Sequence, residues 1–148
     1  MAQFKFRLHT MLTLALARRD RCRIELAETV ARAREVERQI AALDEELRTI
    51  SAGRAGRPGP LDVGRLLSQD RYGATLRENR AQCLHQLTVL SAEIDSRREL
   101  LLTADREVRM LETLRDKQRA QFTADERGRE QRALDEIGAR GGPRQAEA

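Results

Sequence analysis

From Leu76 to Phe122 the apolar residues keep to one seven-residue frame: Leu76, Cys83, Leu87, Leu90, Ile94, Leu101, Ala104, Val108, Leu111 and Phe122. These are the a and d sites of an unbroken heptad series, with Arg97, Arg115 and Gln118 as polar members. The flanking positions are dense in Arg, Glu and Asp, so the opposite face is solvated. A stripe this narrow marks a coiled-coil seam, and it needs a partner helix of comparable length because one helix alone buries too little to stay folded.

The first segment supplies that partner. With Leu12 as a, the a sites are Leu12, Arg19, Leu26, Ala33, Ile40 and Leu47, and the d sites are Leu8, Ala15, Cys22, Thr29, Val36, Leu43 and Ile50. Eleven of these thirteen are apolar, which decides for a seam over an isolated polar helix. Glu35, Glu37, Asp44, Glu45 and Glu46 flank it and suit pairing with Arg on a neighbour. Each exposed pair contributes only about 0.2–0.5 kcal/mol, so such pairs tune register more than stability.

Between the two segments, Gly53 to Pro60 holds three glycines and two prolines, a composition that ends a helix and turns the chain. The expected fold is all-α: two long helices in an antiparallel coiled-coil hairpin, one domain over 1–148. Helix 1 is expected over about 3–51, the hinge over 52–61, helix 2 over about 62–137, and a disordered tail over 138–148. Asp62 is placed to cap helix 2. Gly64 and Gly73 each weaken the next stretch by about 1 kcal/mol relative to Ala, so helix 2 is read either as preceded by a short separate helix or as broken near 68–73. At 1.5 Å per residue, helix 2 overhangs helix 1 by roughly 40 Å around Leu114 to Ile137, with sparse seam residues there (Phe122, Leu134, Ile137), which reads as a docking end.

Composition narrows the function. The chain has 148 residues, 35% of them charged and 3% aromatic, with no Trp; that suits packing along a seam and is too poor in large side chains for a layered core. No apolar run is long enough for a transmembrane segment, and the N-terminus lacks a secretory h-region. Cys22 and Cys83 both fall on d sites and read as small buried hydrophobes. His9 and His85 have no Cys or carboxylate at ligand spacing, so no metal or other cofactor is expected. Lys5, Arg7, Arg18, Arg19, Arg21 and Arg23 face only Asp20 across the first stretch, either as a solvated face or as a basic end for an anionic partner.

Nothing in the chain reads as catalytic. Glu45 with Glu46, and Asp135 with Glu136, lie on polar helix faces with no cleft to raise a carboxyl pKa. The hinge glycines lack the Gly-Lys-Ser/Thr ending of a phosphate loop and follow no strand. A pair of helices encloses no substrate volume.

The opening Phe4-Lys-Phe6-Arg-Leu8 resembles the start of the flagellar export protein FliJ family. The Gly/Pro hinge near residue 55 fits in order, as do Tyr72-x-x-x-Leu76, Leu111-Glu-x-Leu114-Arg-Asp-Lys-Gln and Glu130-Gln-x-x-Leu134-Asp135-Glu136. The resemblance spans nearly the whole chain. It implies a non-enzymatic, stalk-like component of the flagellar type III export apparatus that links the export ATPase hexamer to the cytoplasmic domain of the export gate protein. It also implies the handling of export chaperones. The expected location is the cytoplasm, peripheral to the cytoplasmic face of the inner membrane.

Carried over by position, the gate-binding residues are Gln39, Leu43, Tyr72 and Leu76, with Glu46, Asn79 and Cys83 departing from the family pattern. Leu43 and Leu76 are also on the seam frame, so both readings stand for them. Tyr72 lies off the frame and is expected to be an exposed anchor. For the ATPase ring the resemblance points to the free helix ends: Phe4, Leu8 and Leu12, with Leu111, Leu114, Leu134 and Asp135. Three alternatives are the stalk of a virulence-type secretion system, a self-pairing coiled-coil scaffold, and nucleic-acid binding through the basic N-terminus. The hinge argues against the second. The third is not expected, because no base-stacking aromatics or reader motif accompany the charge.

Overall fold

The computed structural model describes residues 2–56 and 59–142. It is all-α, with two long helices packed against each other, α1 (His9–Ala55) and α2 (Val63–Arg140). The chain divides into two compact units, one of Asp20–Thr103 and the other of Met1–Arg19 with Ala104–Ala148.

Within the Asp20–Thr103 unit the two helical segments run antiparallel. Glu25 pairs with Arg97 at 2.8 Å, Arg32 with Glu93 at 3.4 Å, Asp44 with Arg80 at 2.6 Å, and Arg54 with Asp70, so each step up α1 is a step down α2. The a and d sites of α1 turn inward throughout: Thr29, Ala33 and Val36 are buried, and Cys22, Leu26, Ile40, Leu43, Leu47 and Ile50 are half-buried. Thr29 is the buried polar member. Its hydroxyl donates to the Glu25 carbonyl at 2.9 Å and accepts from Arg32 Nη2 at 3.2 Å, which satisfies the group in place.

The other unit is built the same way. Leu12, Ala15 and Val108 form its buried core, with Phe6, Leu16 and Leu111 packed around them. Phe4 lies before the helix, and its ring sits 5.7 Å from that of Phe122 at 52°, with the Arg119 guanidinium 5.7 Å above the Phe4 face.

The helix limits differ from the sequence reading at four points. α1 begins at His9, not near Gln3; its first turn has no acidic residue, and Lys5 and Arg7 oppose the positive end of the helix dipole. It runs on through Gly53 to Ala55. α2 passes unbroken through 68–73, because Leu66, Gln69, Gly73 and Leu76 continue the same inward frame, so no separate short helix forms. It also passes Gly138, supported by the Gln131–Asp135 and Arg140–Glu136 contacts one turn apart, and Gly141 N–H closes it on the Ile137 carbonyl at 3.0 Å. The part of the expected tail from 143 to 148 lies outside the described residues, as do residues 57–58 of the hinge.

Asp62 caps α2 as its position suggests. Its carboxylate accepts from Arg65 N–H at 3.3 Å, and its carbonyl accepts the first helical bond from Leu66 at 3.1 Å.

Candidate functional site

In the Asp20–Thr103 unit the expected gate residues separate into two kinds. Leu76 is 4% exposed and belongs to the seam. Tyr72 is 52% exposed, and its hydroxyl donates to Glu46 Oε2 at 2.7 Å. That hydrogen bond, reinforced by the negative charge of Glu46, raises the phenol above its ordinary value. Gln39 and Leu43 line a shallow groove of about 410 Å³ together with Ala42, Asn79, Gln82, Cys83 and Gln86. Cys83 Sγ lies 3.8 Å from Gln39 Oε1.

The chemistry of this groove is unusual for so charged a chain. Ala42, Leu43 and Cys83 line it beside four amide side chains, and no carboxylate, Lys or Arg lines it. Asn79 and Cys83 therefore lie in one groove with Gln39 and Leu43, and Glu46 holds Tyr72. Interface centres are depleted in charge, and amides both donate and accept, so the groove suits an uncharged polar segment with an apolar anchor.

Farther along the same unit, Arg97 occupies a seam position and bridges Glu25 at 2.8 Å and Glu93 at 2.9 Å. Its hydrogen bond to Glu93 holds that carboxyl below its ordinary value and raises the guanidinium in return. Arg80, paired with Asp44, also stands on the seam frame; the sequence reading overlooked it, although its position between Gly73 and Leu87 follows from the heptad count.

At the other unit, Leu12 is buried and Leu8 and Leu111 are half-buried, while Phe4 is engaged with Phe122. Leu114, Leu134 and Asp135 are exposed, and Asp135 accepts from Gln131 Nε2 at 3.0 Å. The free apolar surface at this end comes mainly from residues the sequence reading did not single out. Met11, Leu14, Ala15, Met110 and Leu111 line a groove of about 340 Å³ with the ion pair Arg18–Glu107 (3.0 Å) in its wall. An adjoining cleft adds Arg109, Leu114 and Lys117. Met11, Leu14 and Met110 sit beside the seam, on positions whose exposure follows only once the inter-helix register is known.

Among the described residues no group of three or more His, Cys, Asp or Glu is placed to hold a metal ion, and no helix is long and apolar enough to cross a membrane. No curated protein and no solved structure gives a match. The family described as "Flagellar FliJ protein" matches residues 4–147. An antiparallel helix pair carrying surface grooves, together with a family match over essentially its whole length, makes this chain a member of the flagellar FliJ protein family, and so an export-related protein of flagellum biogenesis.

Proposed function

We propose that this chain is a non-enzymatic, stalk-like adaptor that links the flagellar export ATPase hexamer to the cytoplasmic domain of the export gate protein and escorts export chaperones between them. It works in the cytoplasm, held peripherally at the inner membrane through the gate. The observation that carries this reading is the charge-free groove of Gln39, Ala42, Leu43, Asn79, Gln82, Cys83 and Gln86, together with the exposed Tyr72 on the same unit. Gln39, Leu43 and Tyr72 make contact with the gate, and Leu76, inside the seam, sets the spacing of the helices that present them. Phe4, Leu8, Leu12 and Leu111 build the end that meets the ATPase ring, and the exposed Leu114, Leu134 and Asp135 touch it.

The test is to put charge into the groove. Asn79→Arg with Gln82→Arg leaves the seam untouched and is expected to weaken binding of the gate's cytoplasmic domain by about tenfold or more, with stimulation of the ATPase hexamer retained. The chain alone is expected to hydrolyse no ATP. Unchanged gate affinity in the double variant contradicts the assignment of the groove.

A further inference from the structure

We infer that the apolar groove of the Met1–Arg19 and Ala104–Ala148 unit is a docking site for an acidic amphipathic helix of a partner protein. This inference stands on the surface itself and does not require the gate reading. Leu14 is 63% exposed and Met110 67%, and Met11 beside them is also exposed. A chain this rich in charge has no need to leave three large apolar side chains together in water unless something covers them. Ala15 and Leu111 form the floor between them. The depression is open to solvent, and an apolar groove of this kind receives a helix through residues spaced at i, i+3, i+4 and i+7. Methionines make such a groove adaptable, because the unbranched thioether refits to different apolar partners.

Charge selects among the occupants. Arg18 and Glu107 neutralise each other in the wall at 3.0 Å. Arg109 and Lys117 flank Met110 and Leu114 in the adjoining cleft. Among the described residues no acidic side chain pairs with Arg109 or Lys117, so this rim carries uncompensated positive charge beside an apolar centre. A partner helix with acidic flanks satisfies both features at once. A second copy of the chain would bring basic rim against basic rim. An anionic bilayer would set its headgroups against the Glu107 carboxylate in the wall.

The experiment uses the full chain and a labelled peptide of about five helical turns, with Leu at i, i+3, i+4 and i+7 and Glu elsewhere, beside the same peptide with Lys in place of Glu. The acidic peptide is expected to bind, more weakly as salt is raised, and the Lys peptide at least about tenfold less well. Leu14→Glu with Met110→Glu is expected to abolish binding; circular dichroism checks that the fold survives, which the exposure of both side chains favours. Arg109→Glu with Lys117→Glu leaves the apolar strip intact and is expected to reverse the preference between the two peptides. No binding of the acidic peptide, equal binding of both peptides, or binding unchanged in these variants overturns the proposal. So does binding of phosphatidylglycerol vesicles or self-association of the chain that is lost in Leu14→Glu with Met110→Glu.

Discussion

Tyr72 donates its phenolic hydrogen to the Glu46 carboxylate at 2.7 Å while about half of the residue stays open to solvent. The carboxylate therefore fixes an exposed ring in one orientation, and it resists ionisation of that ring. A phenol raised in the folded state contributes stability below the ordinary phenol value, and loses it as pH rises through the raised one. With one Tyr and no Trp in the chain, ultraviolet titration reads this group alone. The expected midpoint lies above the ordinary value of about 10 and falls toward it in Glu46→Gln. An identical midpoint in the two proteins would show that the pair does not persist in solution.

Glu93 gives the opposite sign. Its carboxyl is held low by the hydrogen bond from Arg97, so the network stabilises the fold above the ordinary glutamate range, and that contribution disappears as pH falls through the lowered value. Glu93→Gln is expected to melt below the parent at neutral pH, with the gap closing in acid. Thermal melts at both pH values check this; a gap that persists in acid contradicts it.

Gly73 is buried on the seam frame inside an unbroken helix, yet a Cβ there would meet only the Arg77 guanidinium, at 3.8 Å. Packing does not demand glycine. Gly73→Ala is expected to stabilise the chain by about 0.4–1 kcal/mol, read by denaturant unfolding. Destabilisation would mean that the segment is not helical in solution.

Residues 129–140 of α2 are all exposed. Ending the chain after Gly128 is therefore expected to leave the melting temperature within error of the parent, while stimulation of the export ATPase is lost with Leu134 and Asp135. A large drop in melting temperature would assign the segment a structural role instead.

The seam was legible because heptad arithmetic needs only sequence: Leu12, Ala15, Thr29, Ala33, Val36, Leu76, Ala104 and Val108 are all on frame and all buried. The same arithmetic placed Tyr72 off the seam, and it is exposed. Helix limits are less legible because glycine reads locally as a break or a stop, whereas the continuing frame carries the helix through Gly73 and one-turn side-chain pairs carry it past Gly138. The grooves were not legible. Whether Gln39 meets Asn79, or Met11 meets Met110, depends on how the two helices slide past each other, and that register is set by many weak pairs at once. Leu76 lies on the frame, where sequence alone allows seam and surface alike, and its burial accounts for a seam role.

The most direct test of the adaptor reading compares Tyr72→Ala and Leu76→Ala for affinity to the gate's cytoplasmic domain and for thermal unfolding. Tyr72→Ala is expected to bind about tenfold more weakly or worse with its melting temperature almost unchanged, because it removes an exposed anchor and no seam contact. Leu76→Ala is expected to cost about 2–5 kcal/mol of stability by opening a cavity in the seam. If Tyr72→Ala binds the gate domain as the parent does, or loses binding only in step with its fold, Tyr72 is no anchor and the gate assignment is wrong.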